Sequence, residues 1–107
     1  VIDILAEDEA DATRIAKKAL SYFQGKLSEW SCADQRLLRN AIPENRLRSF
    51  DPRPIIETIA DADSFLEIRR DFAVGMIVGF LRIEGRPMGV ICNDNRYLSG
   101  AIDCGAE

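Results

Sequence analysis

The sequence has 107 residues, 47% of them hydrophobic and 30% charged, and it contains no histidine. A chain of this length is one domain at most, or part of one, and buries roughly 65% of its unfolded surface on folding. Without imidazole there is no Ser-His-Asp or Cys-His nucleophile and no histidine-ligated zinc. The net charge of -4, from 14 basic and 18 acidic residues, disfavours non-specific binding to nucleic acid or to a membrane surface.

Three cysteines, Cys32, Cys92 and Cys104, form an odd set without a CxxC spacing, which fits a reduced, cytoplasmic chain better than a disulfide framework. No apolar run approaches 18 residues and no signal peptide is in view. The first residue is Val, so processing, or excision from something longer, is expected.

Residues 7–24 carry the clearest helical pattern. Ala12, Ile15, Ala16, Ala19, Leu20 and Phe23 form one apolar stripe. Glu7, Asp8, Glu9 and Asp11 complement the dipole at its start, and Gly25 is a plausible stop. Residues 26–53 change character. A short helical piece is expected at 33–40, then an extended connection punctuated by Pro43, Pro52 and Pro54. Arg36, Arg39, Arg46, Arg48 and Arg53 face few acids there. They suit either a phosphate-bearing ligand or a solvated linker with local salt bridges.

A second helix starts at Asp51 as its cap, with Pro52 and Pro54 in the first turn and Ile55, Ile56, Ile59 and Ala60 as its buried face. It ends near Asp61–Ser64. Strand chemistry follows at Phe65–Ile68, at Met76–Ile83 and at Met88–Cys92, with Glu84-Gly85-Arg86-Pro87 as the connecting turn. The strands are apolar at nearly every position, so both sheet faces expect cover. Two helices are too few to supply it, and self-association or strand exchange is expected. A polar loop starts at Asn93, and Leu98-Ser99-Gly100-Ala101-Ile102-Asp103 is a small, Gly-bearing piece that suits either a plain turn or backbone N–H groups held to an oxyanion.

Taken in order, these residues resemble the carboxyltransferase subunits of biotin-dependent acyl-CoA carboxylases, propionyl-CoA carboxylase beta chains among them. The resemblance rests on Ile42-Pro43-Glu44-Asn45, Phe50-Asp51 and Ile55-Ile56, then on Val78-Gly79-Phe80-Leu81-Arg82-Ile83-Glu84-Gly85-Arg86-Pro87-Met88-Gly89-Val90-Ile91, and finally on Leu98-Ser99-Gly100-Ala101-Ile102-Asp103. Ala6-Glu7-Asp8-Glu9-Ala10 and the helix behind it resemble the end of the family's first half. The sequence departs from the pattern at Asn95, where relatives often carry proline, and this is expected to loosen the loop at 93–95.

The resemblance implies an α/β chain, a partial crotonase-like (ββα) fold with an N-terminal helix, a linker, and a β-hairpin sheet opening the second lobe. Residues 1–28 would end the first carboxyltransferase lobe, 29–50 connect, and 51–107 start the second. The implied reaction moves a carboxyl group from carboxybiotin to the α carbon of an acyl-CoA. Biotin would arrive on a carrier, with a biotin carboxylase/biotin carrier subunit as partner and a homo-oligomer as the working state. The fragment alone is expected to be inactive. Backbone at Asn93, Leu98, Ser99 and Gly100 would face the biotin side, Arg46 and Arg48 would touch CoA phosphates or pack between lobes, and no side chain stands out as catalytic acid, base or metal ligand. Two other readings are a non-enzymatic oligomerisation module of the same ancestry and a crotonase-type hydratase or decarboxylase. The latter needs an acidic side chain, and the loop offers Asp94 and Asp103.

Overall fold

A computed structural model describes residues 2–45 and 48–97. In chain order it holds α1 (Glu9–Ser21), a 3-10 helix (Gln35–Asn40), α2 (Arg53–Ile59), β1 (Leu66–Ile68), β2 (Met76–Ile83) and β3 (Arg86–Asn93). The strands form one antiparallel sheet in the order β1-β2-β3.

The acidic start of α1 works as expected. Asp8 is the N-cap and its carboxylate accepts the Asp11 N–H at 2.7 Å, satisfying one of the orphan donors of the first turn. The helix is shorter than the apolar pattern. It stops at Ser21, and a tight turn leads to Gly25, whose φ of +90° reverses the chain three residues beyond the C-cap Tyr22. The stripe is largely uncovered: Ile15 and Ala19 are half-buried, whereas Ala12, Ala16, Leu20 and Phe23 are exposed.

α2 is entered one residue later than expected. Pro52 is its N-cap and Pro54 lies in its first turn, where a missing N–H costs nothing. Asp51 sits just outside and still serves the helix, because its Oδ1 accepts the Arg53 N–H at 3.0 Å. Ile56 and Ala60 are buried, Ile55 is half-buried and Ile59 is exposed.

β2 occupies the expected residues. The hairpin turn is narrower than expected: Glu84 and Gly85 alone form it, with φ of +52° and +79°, and Ile83 pairs with Arg86. Two successive positive φ values match the twist of a two-residue hairpin. Arg86 and Pro87 belong to β3, an edge strand, where proline is tolerated because no second neighbour needs its N–H.

The register sorts side chains between two faces. Ile77 and Leu81 pack with Ile56 and Ala60 of α2 into the core, with Phe65, Ile83, Val90 and Cys92 around them. The opposite face carries Val78, Phe80 and Arg82, and the end of α1 with the turn after it reaches this face. Tyr22 stacks on Phe80 with ring centroids 5.5 Å apart, Phe23 meets Phe80 edge-on at 5.7 Å, and the Arg82 guanidinium lies 4.4 Å from the Tyr22 ring centroid. Ile91 on β3 remains 74% exposed. The expected shortage of cover thus falls on one face of the sheet. The radius of gyration, 15.1 Å, exceeds the roughly 13 Å of a compact chain of this length, as an incompletely covered sheet requires.

The hairpin tip is clamped from below. The buried Asp61 carboxylate accepts the Glu84 N–H at 2.9 Å and the Gly85 N–H at 2.7 Å, and the Leu27 N–H donates to the Gly85 carbonyl at 2.9 Å. A side chain at Gly85 would collide with the Leu27 carbonyl.

Candidate functional site

The residues that gather chemistry lie where β3 ends. The chain leaves the sheet at Asn93, and the Asp94 N–H returns to the Gly75 carbonyl at 2.9 Å, fixing the departure of the loop from the start of β2. The Asp94 carboxylate then folds the next residues around itself. Its Oδ1 accepts the Arg96 N–H at 3.0 Å, and the Arg96 guanidinium meets both carboxylate oxygens at 3.0 and 2.8 Å. The Tyr97 N–H donates to the Asp94 carbonyl at 3.1 Å.

Behind Asp94 sits Arg53, from the first turn of α2. Its guanidinium grips Glu67 of β1 through two parallel bonds of 2.8 and 2.6 Å, and also approaches Asp51 at 3.3 Å and Asp94 at 3.5 Å. Two-point binding of this kind exploits the planar guanidinium fork. The sheet register explains the meeting: Glu67 pairs with Gly79 and therefore shares the α2 face of the sheet. A side chain at Gly79 would strike the Leu66 carbonyl, so glycine here lets β1 close on β2.

The charges tune one another. The Arg96 hydrogen bonds hold the Asp94 carboxyl below its ordinary range, and the Arg53 charge adds to the effect. Glu67 holds the Arg53 guanidinium more firmly protonated than usual. Burial, with Asp94 nearby, pushes the Cys92 thiol up, so it stays protonated and a poor nucleophile near neutral pH. An Asp94 so committed stays a carboxylate near neutral pH, held between Arg96 and Arg53.

Of the expected site residues, Asn93 ends β3, is exposed, and pairs across the sheet with Met76. Arg48 is exposed, and its N–H donates to the Asn45 carbonyl at 3.0 Å. Arg46, Leu98, Ser99, Gly100 and Asp103 lie outside the described residues. The connection is less short of acids than it reads, because Arg36 pairs with Asp34 and Arg53 with three carboxylates. Asn95 stands where relatives often carry proline, and its side chain is engaged here. Its Oδ1 accepts the Phe50 N–H at 3.2 Å and ties the loop to the connection.

Glu67, Arg96 and Asp61 carry no site assignment in the sequence, and Arg53 and Asp94 are named there for other roles, a phosphate or local salt bridge and the acidic side chain of a hydratase. For Arg53, Asp94 and Arg96 a signal existed. Asp34-Gln35-Arg36, Asp51-Pro52-Arg53 and Asp94-Asn95-Arg96 are Asp-x-Arg triplets, and in each the Asp Oδ1 accepts the Arg N–H at 3.0 Å while the carboxylate pairs with the guanidinium. Such turns are locally encoded. No group of three or more acidic or cysteine side chains able to hold a metal ion occurs among the described residues. No described helix is long and apolar enough to cross a membrane.

Residues 1–106 match the carboxyl transferase domain. The chain belongs to that family. It is 31% identical to the methylmalonyl-CoA carboxyltransferase 12S subunit of Propionibacterium freudenreichii subsp. shermanii, over 99% of this chain and 22% of that subunit. It is 41% identical over 66 residues to the propionyl-CoA carboxylase beta chain of Cereibacter sphaeroides, 62% of this chain and 13% of the relative. A solved single-chain, multi-domain long-chain acyl-CoA carboxylase matches with a TM-score of 0.96 and 46% identity, over 99% of this chain and 11% of that one. The chain therefore spans about a fifth or less of the relatives it matches, and its helices and antiparallel sheet are part of the crotonase-like carboxyltransferase fold.

Proposed function

We propose that this chain is a piece of the carboxyltransferase of a biotin-dependent acyl-CoA carboxylase. That enzyme moves a carboxyl group from carboxybiotin to the α carbon of an acyl-CoA. The observation that carries the reading is the near-complete superposition on the multi-domain acyl-CoA carboxylase, with nearly half the residues identical. Residues 1–28 end the first lobe, 29–50 connect, and 51–107 open the second. The open sheet face suits contact with the rest of the enzyme or with further subunits in a homo-oligomer. A carrier subunit charged by a biotin carboxylase is the expected partner.

Carboxybiotin, when delivered, supplies the carboxyl group, and the acyl-CoA supplies the carbon that receives it. The part of this chain is to place backbone donors. Asn93, Leu98, Ser99 and Gly100 are assigned to the biotin side. An oxyanion is held by N–H groups and repelled by carboxylates. The one carboxylate at the head of the loop, Asp94, has its charge taken up by Arg96 and Arg53. Arg46 and Arg48 are left as candidates for CoA phosphates or for packing between lobes.

A segment exchange tests the reading. The matched segment of the multi-domain acyl-CoA carboxylase is replaced by this chain, and acyl-CoA carboxylation is measured. Retained carboxylation supports the assignment; a folded, assembled chimera that carboxylates no acyl-CoA contradicts it. The chain alone, given carboxybiotin and propionyl-CoA, is expected to turn over neither, and turnover would refute its being only a piece.

A further inference from the structure

We propose that Arg53 is a positioning residue for the loop after β3, acting through Asp94 rather than by touching substrate. The proposal rests on the carboxyltransferase reading, since the loop bears on carboxyl transfer only if the backbone beyond it serves the biotin side.

Three observations carry it. Arg53 joins stretches far apart in the chain: the entry to α2 through Asp51, β1 through Glu67 and the post-β3 loop through Asp94. Next, Asp94 organises the residues after it. The Arg96 N–H is bound by its carboxylate and the Tyr97 N–H by its carbonyl, so Asp94 holds the chain as far as Tyr97. Third, the relay is shielded. The side chains of Arg53, Glu67 and Asp94 are 15%, 11% and 6% exposed, so water is a poor substitute for any member. All three guanidinium nitrogens of Arg53 face carboxylates: Nε and one terminal nitrogen meet Glu67, and the other meets Asp51 and Asp94. Every nitrogen is engaged by a carboxylate of this chain, and the side chain is 15% exposed, so the role is positional.

The test perturbs the relay at the end remote from the loop. Glu67→Gln alters the residue that grips Arg53 and leaves every loop residue in place. Amide hydrogen exchange of the full chain, read residue by residue by NMR, is expected to quicken at least tenfold at Arg96 and Tyr97 and to stay within twofold along β2. Arg53→Gln gives a larger local effect, and Arg53→Lys recovers part of it by keeping the charge. Unchanged exchange at Arg96 and Tyr97 overturns the proposal, and so does acceleration spread equally over β2, which marks a role in global stability only. If Arg53→Gln does not fold, Glu67→Gln and Arg53→Lys decide. In the segment-exchanged carboxylase, Arg53→Lys is expected to lower kcat at least tenfold while KM for the acyl-CoA stays within twofold; a change in KM alone overturns the proposal. A chimera inactive with the unaltered segment counts against the functional reading, and the exchange data still decide the positioning role.

Discussion

Replacing Asp61 by alanine removes both acceptors that hold the tip of the β2–β3 hairpin. The carboxylate is buried and receives two backbone N–H groups, from Glu84 at 2.9 Å and Gly85 at 2.7 Å. Hydrogen bonds to a charged acceptor contribute roughly 1.5–3 kcal/mol each. The two donors fare differently once the acceptor is gone. Glu84 is exposed, so water replaces the acceptor and the cost there is about 1 kcal/mol. Gly85 is buried, so its donor stays unmet and costs about 2–3 kcal/mol. The expected loss for Asp61→Ala is therefore about 3–4 kcal/mol, a large share of the 5–15 kcal/mol typical of a folded domain. At a urea slope of about 1–1.5 kcal/mol per molar, the midpoint falls by roughly 2–4 M. Asp61→Asn keeps one acceptor and sets an NH2 against the other donor, so it recovers only part. Urea unfolding followed by circular dichroism reads both. A loss under about 1 kcal/mol at unchanged slope would refute the reasoning, because it would mean that the tip keeps its geometry without the clamp.

Ile77→Ala empties a fully buried site between β2 and α2 and is expected to destabilise by about 2–5 kcal/mol in the same titration. Gly79→Ala pushes against the Leu66 carbonyl, so β1 should part from β2 while the β2–β3 hairpin persists; loss of amide protection confined to Leu66–Ile68 checks this. The Asp94 carboxyl titrates lower in the folded chain than in the unfolded one. Its contribution is thus present in full above the unfolded value of about 4 and is lost as pH falls through the lower folded value. Acid unfolding monitored by fluorescence should show the gap between the unaltered chain and Asp94→Asn closing below about pH 4. A gap that stays constant down to pH 2 would contradict the ion-pair account.

Much of the sheet was legible because β2 announces itself: Met76–Ile83 is apolar at every position but Arg82, and the strand fills it. The position of α2 was legible from Pro52 and Pro54, which act within a turn of themselves, and the 3-10 helix falls inside the helical piece expected at 33–40. The turn was overextended because Pro87 reads as a breaker, and only the register reveals that its strand lies at an edge. The apolar stripe of α1 was visible, but its exposure was not, since periodicity reports what wants cover and not what receives it. The site shows the same division. Asp51 and Asp94 each bind an arginine two residues on, a local pattern written in the sequence. The joining of Arg53 to Glu67 depends on β1 pairing with β2, a contact between distant residues that no spacing reveals.

The Asp-x-Arg triplets bear on how this part of the fold assembles. Each closes over two residues, so it forms at almost no cost in chain entropy and well before distant strands meet. Asp51 orders the Arg53 backbone, and one end of its guanidinium, while β1 is still remote. When Glu67 arrives with the sheet, it captures a fork whose rotamer freedom is already partly spent, and less ordering remains to be offset by the two bonds that form. The same holds at Asp94 and Arg96. The ion cluster is in this sense the docking of two prefabricated corners onto one strand, which places its assembly late, at sheet closure, and leaves its components local.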